Sequence, residues 1–334
     1  MISIEIQMAS LQLNQEEKKS TIKILSLDGG GVRGYLTASI LANIENYLNH
    51  DKREYKPLGE YFDLIVGTST GAIIAGLLAK GETVARIKEI YEKDISFIFA
   101  DEMKNSKLNI WSSKYKKKNL ELKAKEYFGE TTFARKDLVT NLLITSVDIT
   151  TAKPRFYKSD YMVKNKTRVD EKLADAIVAS ASAPAYFPVS KEIEYSSYLV
   201  DGGIVANNPS LVALIDGIKL QKQNKCDKTI LLSVGTGRVC EMPYDVQKLE
   251  DTQLGWLSNN KAIIELLMSA QSKLAEFQTE FLAKELDDIE YRRINPDLGQ
   301  KIGLDEVAKI KILKNLADLY EVDREWIMKN IGDI

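Results

Sequence analysis

Histidine is almost absent from this chain of 334 residues, which contains a single one, His50, in the polar stretch 48–53. A hydrolase with the Ser…Asp…His order needs a histidine after its nucleophilic serine. No histidine occurs after position 50, so none follows a serine in the rest of the chain. A lone histidine among polar residues is typical of a solvated side chain. A serine hydrolase with this sequence must therefore use another base.

Cysteine and long apolar runs are also scarce. Cys226 and Cys240 are the two cysteines, too few for a disulfide framework and without nearby histidines for zinc. The first residues lack the basic and apolar segments of a secretory leader, and runs such as 72–79 are shorter than the roughly 20 residues that span a bilayer. A net charge of −2 gives no general attraction for nucleic acid. These features predict a cytoplasmic protein.

Strands and helices are predicted to alternate along the chain, which indicates a three-layer α/β/α fold around a mostly parallel sheet. Strands are expected near 22–27, 61–66, 141–147, 196–200, 229–234 and 290–295. Helices are expected near 35–48, 71–80, 118–127, 171–182, 209–221, from about 259, and 305–321. No linker divides the sequence, so we expect a leader segment at 1–20 and one domain at 21–322.

A G-x-S-x-G motif, Gly67 to Gly71, lies between a predicted strand and a predicted helix. The two glycines permit a sharp turn that projects Ser69 above the sheet, with the helix N-terminus beneath developing negative charge. The alternative is a plain turn with an N-capping hydroxyl. In the first interpretation Ser69 is a nucleophile.

Asp201 is the candidate base, because it closes a predicted strand and precedes Gly202 and Gly203. Open α/β sheets place their active sites at such strand ends. A carboxylate can accept a serine proton in a dry site where the oxyanion is stabilised separately. An ordinary Asp-Gly turn is the alternative.

A glycine-rich segment, 28–34, follows the first strand. Its backbone N–H groups can converge on an anion at a helix start, and Arg33 adds a positive charge. Gly29, Gly31 and Gly34 also match the dinucleotide fingerprint of a nucleotide-binding oxidoreductase. That fingerprint needs an acidic residue at the end of the next strand, whereas helix end and loop are predicted there, so an oxyanion hole fits better.

Small residues and two prolines fill the segment 179–188. Small side chains permit close backbone approach, and alone this segment would indicate core packing. Together and in order, the four segments resemble the patatin-like phospholipase family. The family pattern of D-G-G-G-x-R-G, G-x-S-x-G, a small-residue block and D-G-G corresponds here to 28–34, 67–71, 180–187 and 201–203. The segments 233–237 and 291–296 resemble later parts of the family, so the resemblance covers about 20–320.

The resemblance implies a Ser69–Asp201 dyad, with Gly29, Gly30, Gly31 and Arg33 holding the oxyanion and no metal or cofactor. It implies a phospholipase A acting on membrane glycerophospholipid at the inner membrane surface. The compact length also resembles bacterial anti-phage effectors that a cyclic dinucleotide activates. A constitutive lysophospholipase or general lipid acyl hydrolase is the alternative, and a catalytically idle lipid-binding protein has no support from the sequence.

Two further segments carry local patterns. An apolar stripe in 262–282 is expected to pack on the sheet, with a lid or a homodimer face as alternatives; its members are Ile263, Leu266, Leu267, Ala270, Leu274, Phe277 and Phe281. A lysine-rich segment, 114–125, with Trp111 and Tyr115 nearby, is expected to be a solvated helix face. Docking on anionic lipid is its alternative.

Overall fold

The computed structural model describes residues 20–100, 113–161, 168–192, 196–239 and 260–333. Within these ranges eight strands form one sheet in the order β5-β6-β3-β2-β1-β7-β8, with β4 paired to β3. The strands are β1 (Thr21–Leu27), β2 (Leu64–Gly67), β3 (Asn141–Asp148), β4 (Lys153–Lys158), β5 (Ser190–Glu192), β6 (Ser197–Asp201), β7 (Lys228–Val234) and β8 (Ile289–Ile294). The neighbouring strands β3, β2, β1, β7 and β8 are all parallel to one another. Strands β4, β5 and β6 join the sheet through antiparallel pairs.

Helices cover both faces of this sheet. They are α1 (Gly34–Asn49), α2 (Thr70–Ala79), α3 (Val84–Ile98), α4 (Lys118–Phe128), α5 (Leu173–Ser180), α6 (Gly203–Ala206), α7 (Ser210–Asn224), α8 (Asn260–Glu285), α9 (Ile310–Leu319) and α10 (Arg324–Asn330). No helix in the described ranges combines the length and the apolar character needed to span a membrane.

The central strands are apolar on both sides, as buried parallel strands must be. Leu25 and Ile65 face the larger core cluster, which contains the buried faces of α1 and α2. Ile24 and Leu64 point the other way, into a second cluster with Ala213 and other residues of α7. The predicted three-layer α/β/α architecture with a mostly parallel sheet is confirmed.

The predicted elements differ from the structure in a few places. The second strand begins at Leu64 and not at 61, because 58–61 form a 3-10 turn after Pro57. Strands β4 and β5 and helices α3, α6 and α10 were not expected. Most of the leader predicted at 1–20 lies outside the described residues, as does Cys240.

The orientation of α8 differs from the expected packing of its apolar stripe. Met268, Ala275 and Thr279 form the buried face, whereas large stripe residues are exposed. We call this exposed set the α8 stripe; it consists of Leu267, Leu274, Phe277 and Phe281, which are 50–67% exposed. The expectation that these side chains would bury against the sheet is wrong, because the close approach of α8 to α6 and α7 is made by its smaller residues.

Candidate active site

Ser69 occupies a strained turn between β2 and α2. Its backbone has φ 54 and ψ −120, a conformation that non-glycine residues rarely adopt. The flanking glycines are required by space: a Cβ on Gly67 would lie 2.4 Å from the Gly71 carbonyl oxygen, and one on Gly71 would lie 2.3 Å from the Leu27 carbonyl oxygen. The turn therefore holds the Ser69 side chain above the sheet at the N-terminus of α2, as the motif predicted.

Asp201 ends β6, beside β3, and is almost completely buried. Its Oδ1 accepts a 2.6 Å hydrogen bond from the Gly203 N–H, while Oδ2 is buried and accepts no hydrogen bond of standard geometry from a described residue. Burial raises the pKa of Asp201 to about 7, although the Ser69 hydroxyl and the Gly203 N–H both lower it. The carboxyl is thus poised near neutrality beside Ser69, as a general base should be.

His50 is excluded from this pair by its position. It follows the last turn of α1, its side chain is 65% exposed, and its Nδ1 lies 2.9 Å from the Asp51 carboxylate. It is absent from the lining of the cavity beside Ser69. A solvated His50 matches the expectation from sequence.

The small-residue segment at the end of α5 holds both members of the pair. The Ser180 Oγ accepts a hydrogen bond from the Ser69 N–H at 2.9 Å, and the Ser182 carbonyl accepts one from the Asp201 N–H at 3.0 Å. Ser180 and Ser182 are fully buried. The sequence indicated only close packing here, whereas the segment sets the spacing between Ser69 and Asp201.

The glycine-rich loop lies over Ser69, and its members differ in what they can donate. Gly30 and Gly31 line the cavity with Ser69, and neither N–H donates to another residue in the described part of the chain. The Gly29 N–H instead donates to the Asn207 carbonyl at 2.9 Å. The Arg33 Nε donates to the Gly30 carbonyl at 3.3 Å. The loop thus presents the Gly30 and Gly31 amides, with Gly29 and Arg33 as its supports.

Two contacts that support this loop were not predicted. Arg293 of β8 holds Asp28 in a bidentate ion pair and also donates to Ser233. Burial alone would lower the pKa of Arg293, but the Asp28 carboxylate raises it, so the guanidinium stays charged. Thr236 donates to the Gly29 carbonyl at 3.0 Å. No local pattern could reveal an ion pair between residues 265 positions apart.

Two apolar cavities adjoin each other beside Ser69. The first, with about 40 Å³ of internal space, contacts Gly30, Ser69 and Met268. The second, with about 20 Å³ of internal space, lies between α2, α3, α4 and α5. They share the lining residues Ile73, Ile95, Ile98 and Leu120. A continuous apolar lining therefore extends from Ser69 between these helices, and its chemistry suits contact with a hydrocarbon chain.

The dinucleotide interpretation of the glycine loop has no counterpart in this geometry. Strand β2 ends at Gly67, where that fingerprint needs an acidic residue on the ribose. A Cβ on Gly31 would lie 2.1 Å from the Leu304 carbonyl oxygen, and one on Gly30 would contact Thr236. The loop is covered by protein and faces Ser69.

The lysine-rich segment is largely compensated by local partners. Lys114 pairs with Asp305 at 2.8 Å, and Lys123 pairs with Asp94 at 2.9 Å. The Lys117 Nζ donates to the Val189 carbonyl. Trp111 lies outside the described residues. Lys114, Lys117 and Lys123 are half-buried, whereas Lys116, Lys118 and Lys125 are exposed, so the expected solvated helix face holds for only part of the segment.

Comparisons with known proteins agree with the geometry. The model of the family described as patatin-like phospholipase matches residues 25–214, more than half of the chain. A cGAMP-activated phospholipase of Vibrio cholerae is 35% identical over 210 residues, which are 60% of this chain and 58% of that protein. One from Escherichia coli is 34% identical over 229 residues, 65% and 63% of the two chains. Patatin-like protein 4 of Arabidopsis thaliana is 29% identical over 336 residues, 89% and 82% of the two chains. The chain thus spans about 60% of the length of the two bacterial relatives.

Proposed function

Because the chain belongs to the patatin-like phospholipase family, we propose that it is a lipid acyl hydrolase with a Ser69–Asp201 dyad. One observation carries the proposal: Ser69, on a strained turn, lies beside a buried Asp201 of pKa about 7, at an apolar cavity. The lone histidine lies on the surface. The site therefore has a nucleophile, a base and a place for an acyl chain.

The proposed reaction passes through an acyl-enzyme. The Ser69 Oγ attacks the ester carbonyl while Asp201 accepts its proton, and the Gly30 and Gly31 amides stabilise the oxyanion. Asp201 then gives the proton to the departing alcohol, leaving an ester between the fatty acid and Ser69. Water attacks this ester, and the fatty acid leaves. The steps need neither a metal nor a cofactor.

The apolar lining beside Ser69 suits the hydrocarbon part of an ester, so we propose phospholipase A activity on membrane glycerophospholipid. The reaction would take place at the inner surface of the membrane, with the protein in the cytoplasm. A constitutive lysophospholipase or general lipid acyl hydrolase would use the same residues.

The two bacterial relatives are named for activation by cGAMP. We extend this property to the present chain as part of the proposal: a cyclic dinucleotide would switch on the phospholipase in an anti-phage response. Such a ligand can shift the protein towards an active state only by its differential affinity for the two states. Strong activation therefore requires a marked preference for the active state.

We also propose one domain that includes α10. Expected to end near 322, the domain continues through Ile327 and Ile331, which are buried in the larger core cluster. The Lys23 Nζ donates to the Ile331 carbonyl at 2.9 Å, which links the first strand to the last helix.

A homodimer built on the α8 stripe is the remaining part of the proposal. The stripe repeats at spacings of seven, three and four residues, as in a two-helix seam. Lys273 and Glu280 lie along one flank of it. In an antiparallel pair of α8 helices, each Lys273 would face Glu280 of the second copy, so the charges complement each other around the two-fold axis.

The experiment is fatty acid release from phospholipid vesicles by wild type, Ser69→Ala, Asp201→Ala, the double variant and His50→Ala, with and without a panel of cyclic dinucleotides. Each single dyad variant should lose about 10⁴-fold or more, and the double variant should be little worse, because nucleophile and base act as a unit. His50→Ala should match wild type. An active Ser69→Ala or an inactive, folded His50→Ala would refute the dyad. Equal activity with and without every nucleotide would leave a constitutive hydrolase.

A further inference from the structure

The side chain of Asn207, which follows α6, is held in one orientation beside the dyad. Its Nδ2 donates to the Ser272 Oγ at 2.9 Å, and that hydroxyl donates its proton to the Met268 carbonyl at 2.9 Å. Ser272 can therefore only accept from Asn207, so the nitrogen and not the oxygen of the carboxamide must face it. The Asn207 Oδ1 consequently points away from α8.

Two glycines allow the backbone near Ser69 and Asp201 to approach this Oδ1 closely. A Cβ on Gly29 would lie 2.4 Å from the Asn207 Oδ1 and 3.3 Å from the Ser69 Cβ. A Cβ on Gly203 would lie 3.1 Å from the same oxygen and 2.9 Å from the Asp201 Oδ1. The carboxamide oxygen therefore lies close to both Ser69 and Asp201.

This oxygen is an acceptor that needs a donor. Asn207 is 7% exposed, and its Oδ1 accepts no hydrogen bond from any residue in the described ranges. The Asp201 Oδ2 also accepts no hydrogen bond of standard geometry from a described residue, and the Ser69 hydroxyl beside Asp201 stops being a donor once Ser69 carries the acyl group. Buried acceptors are nearly always satisfied by protein or water. A water molecule has two protons, one for each of these oxygens, and keeps its lone pairs for attack.

We propose that Asn207 binds and orients the water that hydrolyses the acyl-enzyme; this inference rests on the proposed acyl hydrolase function. The water donates one hydrogen bond to the Asn207 Oδ1 and a second to Asp201. As the water oxygen bonds to the acyl carbon, the second proton passes to the Asp201 carboxylate. The bond between that carbon and the Ser69 Oγ then breaks, Asp201 returns the proton to Oγ, and the free fatty acid leaves.

The test separates acylation from deacylation with p-nitrophenyl esters. In Asn207→Ala, deacylation should slow by about 10²-fold, because the attacking water is no longer placed. kcat and KM should then fall together while kcat/KM stays within a few-fold of wild type, because acylation does not use this water. A burst of nearly one nitrophenol per active site should appear, with acylated Ser69 detectable by intact mass.

Asn208→Ala is the matched control. Asn208 lies in the same turn, but its Oδ1 accepts from the Ser210 N–H at 3.0 Å. If Asn208→Ala slows the enzyme, kcat and kcat/KM should both fall, and no burst should appear. Ser272→Ala frees the Asn207 carboxamide to rotate and should show a weaker form of the same burst, which keeps the test decisive if Asn207→Ala does not fold.

Three results would overturn the inference: unchanged kcat in Asn207→Ala and Ser272→Ala, a parallel loss of kcat and kcat/KM without acyl-enzyme, or a shifted pH midpoint of kcat/KM at unchanged kcat. The last result would mean that Asn207 accepts a hydrogen bond from protonated Asp201 and does not position the water. An inactive wild type would instead refute the proposed function itself.

Discussion

Asp201 is a carboxyl group whose surroundings oppose its charge. Burial raises its pKa from an ordinary 3.8 to about 7, so the native state prefers the neutral acid that the proposed reaction cannot use as a base. Above pH 7 the folded protein must hold a buried carboxylate with few hydrogen bonds. The same feature that suits Asp201 to accept a proton therefore costs stability.

Two pH effects follow from the Asp201 pKa. Activity should rise with pH through a midpoint near 7, as the carboxylate forms. The unfolded carboxyl titrates near 3.8, so the free energy of unfolding should be larger near pH 4 and should fall as pH rises to 7. Asp201→Asn removes the free-energy cost of a buried carboxylate. It should stabilise the protein most at pH 8, by up to a few kcal/mol.

Thermal unfolding of wild type and Asp201→Asn at pH 5 and pH 8 checks the stability effect, with the exposed Asp51→Asn as control. An equal difference between wild type and Asp201→Asn at both pH values would show that the Asp201 pKa is not raised.

At the scale of elements, local signals predicted the parts of the site but not their supports. Ser69 and Asp201 could be identified because the glycines that permit each turn lie within two positions of the residue in the sequence. Ser180 and Arg293 act through contacts with Ser69 and Asp28 that exist only after folding. Helical periodicity likewise marked the apolar residues of α8 but not its buried side, because the small Ser272 and Ala275 permit the close approach.

The helices α2 to α5 set the length of the proposed acyl path. Ala124 of α4 lines the distal cavity and is 3% exposed. Ala124→Phe should block the distal end of the apolar lining, and because each buried methylene is worth about 0.8 kcal/mol, the kcat/KM for p-nitrophenyl palmitate should fall about tenfold or more. The value for p-nitrophenyl octanoate should change little.

Leu122→Phe is the control on the exposed side of the same helix, where Leu122 is 48% exposed. It should leave both esters unaffected. Equal loss for the two esters in Ala124→Phe would show that the distal cavity does not receive the acyl chain.

At the scale of the molecule, the sheet gathers the site at one edge. Leu27 of β1 is in register with Gly67 of β2 and Val234 of β7, so the segments after these strands meet where open α/β sheets bind ligands. Helix α8 lies across this edge: Met268 contacts the cavity, Ser272 orients Asn207, and the α8 stripe faces outward. A partner bound to the α8 stripe would therefore be separated from the dyad by the width of one helix.

The proposed dimer predicts a charge-swap result. Lys273→Glu places like charges opposite each other twice and should weaken association several-fold, given a contribution of about 0.2–1 kcal/mol for each exposed pair. The double variant Lys273→Glu with Glu280→Lys restores opposite charges and should recover the wild-type dimer. Phe277→Glu should give monomer, whereas Leu319→Glu, at an 81% exposed position on α9, should not. Sedimentation over a dilution series measures all four. A wild type that is monomeric at every concentration, or a double variant no better than Lys273→Glu, would exclude this antiparallel pairing.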